Sequence, residues 1–318
     1  MRALIWITAV IGILWSGYWF VGKAAVERST EAFLANLAAE GIKIDTSERG
    51  VAGFPNRFDL TFSDLDVAVA QTGFDWSAPF LQIFSLSYKP WHIIAAFAPE
   101  QRINGIKVTN TKLQASLVLK PVPDLPLNRT TLIGDGMTIT LPTGQGFSAE
   151  TLRFATRQAV DDGTAHQIGL DLLGVTLSGD LPPLSNRIEK LHLDATAQFS
   201  APLDRFAGET RPRMTRLQLT EALFVWDDLK FHLSGDVSAT DGLPRGTLTL
   251  RTENWRKLVP ILRDLGGLNP QVLTNLETTM ASFSVTTNGV EVLTVPITVS
   301  EGQMRLGFLP LGPFPFMN

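Results

Sequence analysis

The chain has no cysteine, so it holds no disulfide, no thiol nucleophile, no thiolate metal site and no attachment point for a cysteine-linked lipid. That absence is allowed in oxidising and reducing compartments alike and assigns the protein to neither. Histidine is scarce: His92, His166, His192 and His232 lie far apart, and none belongs to an H-x-x-x-H or H-E-x-x-H arrangement. No P-loop, G-x-S-x-G elbow or G-x-G-x-x-G strand-to-helix turn occurs. Lysine and arginine do not cluster, and a net charge of -4 argues against nucleic acid as a partner. Charged side chains make up only 18% of the chain, below the usual quarter or so, and mean hydropathy is +0.12. The expectation is a protein that is not an enzyme and needs no cofactor or metal, with something besides water covering part of its surface.

What is present begins at the N-terminus. From Ala3 to Gly22 no side chain is charged, and a helix of roughly 20 such residues spans about 30 Å, the thickness of a bilayer's hydrocarbon core. Trp6, Ile11, Leu14, Trp15, Tyr18, Trp19 and Phe20 are the expected anchor residues, with the last aromatics placed where rings settle at headgroup level. A cleavable signal peptide is the competing reading. Such peptides have a shorter apolar region that ends in small residues, whereas this run ends in aromatics. Arg2 before the run and Lys23 and Arg28 after it give almost no orientation signal. The short N-terminal tail and anchor-first layout favour a single-pass anchor with the bulk of the chain exported.

The expected layout is a transmembrane anchor over 1–22, a juxtamembrane helix over 23–41 and a β-rich domain over 42–318, the last divided into two continuous halves or undivided. Val26, Phe33, Leu34 and Leu37 form one helical stripe that stops at Gly41. After Ile42 the period falls from 3.6 to 2. Phe58, Leu60 and Phe62 alternate with polar residues, as do Leu113, Ala115 and Leu117, and again Leu191, Leu193 and Ala195. Shorter runs recur around Phe231, Leu248, Leu250 and Val290. Gly134-Asp135-Gly136, Asp161-Asp162-Gly163, Asp241-Gly242 and Asn288-Gly289 read as tight turns, and Lys120–Pro126 and Gly179–Pro183 as loops. Two short helices are expected, one through Trp255, Leu258, Val259, Leu262 and Leu265 up to Gly266-Gly267, the other from Pro270 to about Ser282. The fold class is mainly β: a long curved antiparallel sheet forming a groove, open barrel or sandwich, with two or three short helices.

Clean alternation gives each sheet one apolar face, which must be covered. Either protein covers it, closing an ordinary core, or part of it is left for lipid acyl chains. The candidate lipid-facing residues are Phe58, Leu60, Phe62, Leu113, Leu117, Leu191, Leu193, Phe231, Leu248 and Leu250. Trp91 and His92, in Tyr88-Lys89-Pro90-Trp91-His92-Ile93-Ile94, are candidates for headgroup contact, with a backbone carbonyl as the alternative partner of His92. His192 and His232 fall on the polar phase of their strands and read as solvated or cross-strand polar residues. The Asp161-Asp162 and Asp227-Asp228 pairs coincide with turns. Phe314, Phe316 and Met317 are odd for a solvated end and either dock back on the sheet or touch a membrane or partner.

Three stretches carry a family resemblance. Gly53-Phe54-Pro55-Asn56-Arg57-Phe58 leads into a strand; Trp76-Ser77-Ala78-Pro79 precedes the Tyr88 segment; Glu301 to Gly307 and Pro310-Leu311-Gly312-Pro313 close the chain. In this order they resemble the bacterial membrane-anchored proteins grouped as domain of unknown function 2125, along nearly the whole length. That resemblance implies a cell-envelope location and no established activity, and with the anchor-first layout the expectation is a single-pass inner-membrane protein with its bulk in the periplasm. The layout is more remotely similar to AsmA-like envelope proteins, whose β-grooves are associated with phospholipid handling. The expected function is therefore binding or shielding of lipid acyl chains in an apolar β-groove, in lipid transport or envelope maintenance, with membrane lipid as partner. The alternative is a scaffold with a closed core that recruits an envelope protein.

Overall fold

A computed structural model describes residues 1–179, 184–240, 242–264, 269–287, 289–307 and 309–316. The chain divides into two compact units, Met1–Pro121 with Leu132–Gly146, and Val122–Thr131 with Phe147–Asn318. They are not continuous halves, because residues 122–131 group with the second unit.

In the first unit, α1 runs unbroken over Arg2–Ala39, so the apolar run and the juxtamembrane stripe are one helix. It is long and apolar enough to cross a membrane. Trp19 is its only fully buried residue. The strands are β1 (Ile42–Asp45), β2 (Glu48–Ala52), β3 (Arg57–Val69), β4 (Phe74–Leu86), β5 (Lys89–Phe97), β6 (Glu100–Ile103), β7 (Ile106–Thr109), β8 (Lys112–Leu119) and β9 (Leu127–Thr140). β3 carries β1 and β2 along one edge and β4 along the other. β4, β5, β8, β9, β7 and β6 close into a six-stranded barrel, β9 taking part through its residues in this unit. Full closure leaves these strands no free edge.

Cross-strand partners share a face of a sheet. Val51 opposes Leu60, Leu60 opposes Ile83, Ile83 opposes Ala95 and Ala95 opposes Ala115, so one apolar face runs through β2, β3, β4, β5 and β8. Along β3 the buried positions are Phe58, Leu60 and Phe62 and then step by one to Leu65. The step falls at Asp64, which sits at φ 47° and pairs with nothing in the ladder opposite Pro79. An unpaired residue on each strand resets the phase of both and keeps Val67 and Trp76 on the same face as Phe62 and Leu81. One expected turn is absent. Gly134-Asp135-Gly136 lies inside β9, where Asp135 accepts hydrogen bonds from both the backbone N–H and the hydroxyl of Thr111.

The second unit contains β10 (Gly146–Gln158), β11 (Ala165–Leu177), β12 (Arg187–Phe199), α2 (Ala207–Thr210), β13 (Met214–Trp226), β14 (Leu229–Thr240) and β15 (Leu243–Glu253). A 3-10 turn (Trp255–Lys257), α3 (Leu258–Asp264), α4 (Pro270–Phe283), β16 (Ser284–Thr287), β17 (Val290–Ser300), β18 (Gln303–Leu306) and β19 (Leu309–Pro313) follow. From β10 to β15 each strand pairs antiparallel with the next, and β17, β18 and β19 continue the meander beyond β15. The helical insertion before β17 is the pair expected from sequence, with its first turn tightened to 3-10. The expected stop at Gly266-Gly267, the loop around Pro182 and the first residues of the Asp241-Gly242 and Asn288-Gly289 turns lie outside the described residues.

Apolar rows cross this sheet: Leu193, Ala222, Leu233, Leu250 and Val295 oppose one another in turn, and so do Leu191, Phe224, Phe231, Thr252 and Leu293. Protein covers these rows in part. Trp255, Val259 and Leu273 pack on Leu293 and Val295, and Phe314 joins Val237, Leu248 and Val299. The C-terminal segment thus docks on the sheet through Phe314, while Phe316 stays half exposed. The opposite face is polar. His192 bonds Asp171 at 2.8 Å and His232 bonds Glu221 at 3.2 Å, both as cross-strand pairs.

Candidate functional site

The site follows from how α1 meets the sheet. Three aromatic side chains fasten its exit end: the Trp15 indole donates to the Pro55 carbonyl (3.0 Å), the Tyr18 hydroxyl to the Ser87 carbonyl (2.6 Å) and the Trp19 indole to the Arg57 carbonyl (2.7 Å). Trp19 stacks on Phe58, with ring centroids 6.1 Å apart, and meets Phe54 edge-on at 5.3 Å. One turn on, Gly22 sits directly over the Phe58 ring, and a methyl group there would collide with it. Glycine is required at this position by the close approach rather than by backbone conformation.

Beyond Gly22 the helix stands off the sheet. Val26 and Leu34 are only partly buried and Phe33 is 60% exposed, although they belong to the apolar stripe. The far end is held by polar contacts instead: Arg49 pairs with Glu31 at 3.3 Å, and Gln71 donates to the Glu40 carbonyl at 3.2 Å. Between these two attachments lies a groove of about 490 Å³, within the range of roughly 300–1,000 Å³ usual for small-molecule sites. One wall is α1, with Val26, Phe33 and Leu34; the other is the apolar face of β3 and β4, with Leu60, Phe62 and Ile83. No charged side chain lines it. Two of its few polar groups are bonded within the protein. The Thr30 hydroxyl donates to the Val26 carbonyl at 2.8 Å, and the Trp76 indole donates to the Gln101 amide oxygen at 3.1 Å. Chemically the groove offers apolar contact and almost no hydrogen bonding.

The residues proposed from sequence divide among three places. Trp6, Ile11, Leu14 and Phe20 are exposed along α1, as a lipid-facing surface requires, whereas Trp19 is 4% exposed and faces β3. Trp15 and Tyr18 are part exposed and bonded to the first unit. Leu60 and Phe62 line the groove, and Leu113 and Leu117 lie on the strand that continues the same apolar face. Phe58 is occupied by Trp19 and Gly22 and so does not face lipid. Leu191, Leu193, Phe231, Leu248 and Leu250 share one face of the second unit's sheet, where Leu248 is 5% exposed and covered by protein. His92 is half buried, and its Nε2 bonds the Ser116 hydroxyl on the neighbouring strand at 3.1 Å. Trp91 is half buried beside it.

Ser29, Thr30, Leu81 and Ile83, which the sequence did not mark as site residues, also line the groove, as does Trp76. Their signal was present in the sequence, since Leu81 and Ile83 alternate in the register of Phe62 and Leu60, but which surface covers them depends on α1. Among the described residues, no group of three or more His, Asp or Glu is placed to hold a metal ion. Hydrogen bonds from the Thr164 hydroxyl and backbone hold the Asp162 carboxyl below its ordinary range. The neighbouring Asp45 carboxylate raises the Lys43 amine. Lys43 is exposed and Asp162 half buried, and both lie outside the groove.

The fold and the groove define a class: a β-rich body carried on one N-terminal helix long and apolar enough to cross a membrane. Residues 19–315 match the family described as an uncharacterized protein conserved in bacteria, DUF2125, and the chain belongs to that family. No curated protein and no solved structure matches the chain. The likeness in layout to AsmA-like proteins has no support among these findings.

Proposed function

We propose that this protein is a single-pass inner-membrane protein, its body in the periplasm, that holds or shields a lipid acyl chain in the groove between α1 and the sheet of its first unit. One observation carries the reading: the groove is lined almost wholly by apolar side chains and begins where the membrane-length run ends, with Ala25 and Val26 in its wall three and four residues past Gly22. An acyl chain leaving the bilayer beside the helix would keep apolar contact without crossing water. No catalytic step belongs to this reading, and no cofactor. A retained anchor fits it, because cleavage would remove the three aromatic attachments that set one end of the groove.

Mass spectrometry of organic extracts from gently purified protein tests it. Phospholipid or fatty acid should co-purify with the native chain and fall severalfold in Ser29→Trp and Ala25→Trp, whose indoles would fill the groove from the exposed side of α1. An empty native chain, or equal lipid in variants of unchanged stability, overturns the proposal. The second unit supports the scaffold reading for its own share of the molecule. Val237 and Leu293 are fully buried and Trp255 is 2% exposed, all in clusters closed by protein side chains. On this reading its role is to recruit an envelope partner.

A further inference from the structure

A helical span from Ala3 to Gly22 has consequences for the loops bonded to it. Trp15 lies seven residues before Gly22, about 10 Å along the axis at about 1.5 Å per residue. Its indole nevertheless holds the Pro55 carbonyl, and the Tyr18 hydroxyl holds the Ser87 carbonyl. The two loops move as one piece, because the Ser87 backbone N–H donates to the Asn56 carbonyl at 2.9 Å. The first unit is therefore fastened to the helix inside the level at which the helix leaves the bilayer. An interfacial position suits aromatic and amphipathic side chains, and the loops present both. Phe54 and Tyr88 are each 53% exposed, Phe54 stacks on Phe20 of the helix at 5.9 Å, and Pro55, Lys89 and Pro90 flank them.

We infer that the loops at 53–56 and 87–90 form a second membrane contact. The Phe54 and Tyr88 rings rest in the headgroup layer of the phospholipid bilayer and complete, from the β unit, the aromatic belt that Trp15 and Tyr18 begin on the helix. Lys89 lies at the same loop, where its ammonium group faces lipid phosphates. This contact sets the tilt of the first unit on the membrane and holds the groove mouth at the surface. It depends on the helix spanning the bilayer and not on the groove's contents.

The lack of native cysteine makes the test direct. Phe54→Cys, Tyr88→Cys and, at the far end of β3, Thr72→Cys are each labelled with an environment-sensitive nitrobenzoxadiazole and reconstituted as full chains in phosphatidylethanolamine/phosphatidylglycerol nanodiscs. Labels at 54 and 88 should emit blue-shifted light and be quenched severalfold more by headgroup-nitroxide lipid than the label at 72. Hydroxyl-radical oxidation of the unmodified chain gives a second readout, with Phe54 and Tyr88 protected in nanodiscs while half-exposed Phe283 is oxidised freely. Quenching at 54 and 88 no greater than at 72, unprotected Phe54 and Tyr88, or a full chain that does not insert into the nanodisc would each overturn the inference. Lipid extraction has no bearing on these outcomes, so this inference and the acyl-chain proposal fail separately.

Discussion

Trp19 was legible as an aromatic at a membrane exit; that it faces protein was not. Hydropathy records only that a side chain leaves water, and a buried indole over Phe58 leaves it as fully as one in lipid. Removing the ring in Trp19→Ala should cost about 3–5 kcal/mol, read as a lower melting temperature in nanodiscs, where a ring facing lipid would cost far less. At Gly22 the expectation is overpacking: Gly22→Leu drives a side chain into Phe58 and should cost about 1–3 kcal/mol, measured the same way. Thr252 gives the opposite sign. It is fully buried in the row between Phe231 and Leu293, and its hydroxyl has no hydrogen-bond partner. Thr252→Val removes that unsatisfied group, so its melting temperature should rise, by the equivalent of up to about 1–3 kcal/mol.

At the scale of elements, period-2 alternation located most of the strands, and the wide spacing of turn residues gave the meander. The failures have identifiable causes. Gly134-Asp135-Gly136 has turn composition but lies within β9, because Thr111 supplies the hydrogen bonds that a turn would have made internally. Asp64 resets the phase of β3 without any glycine or proline of its own, which a reading of alternation cannot foresee. The Asp161-Asp162-Gly163 turn between β10 and β11 does form as expected, and Asp162 holds it together. Its carboxylate accepts from the Thr164 backbone N–H at 2.8 Å, the Thr164 hydroxyl at 2.7 Å and the Gln198 amide at 3.1 Å. A folded-state pKa below the unfolded value means that the turn's contribution is present above the ordinary carboxylate range and fades as pH falls through the lowered value. Asp162→Asn should therefore flatten the acid limb of the stability profile and leave the profile near neutral pH parallel to wild type, as checked by thermal melts across acid pH.

At the scale of the whole molecule, the sequence by itself determined a helix long enough to span a bilayer, a mainly β body, one apolar face per sheet and the lack of any thiol. These are local properties, fixed by the kind and period of neighbouring side chains. The tertiary structure alone decided what each apolar residue packs against. Phe58, Leu60 and Phe62 are equivalent in alternation and all buried, yet the first lies under Trp19 and Gly22 while the other two form the floor of a groove, because α1 is fastened at Trp19 and is largely exposed by Phe33. That difference arises from contacts between Trp15, Tyr18 and Trp19 and carbonyl groups some 40 to 70 positions away. Backbone carbonyls carry no sequence signature, so a groove created by where a helix is pinned has no trace in the order of residues.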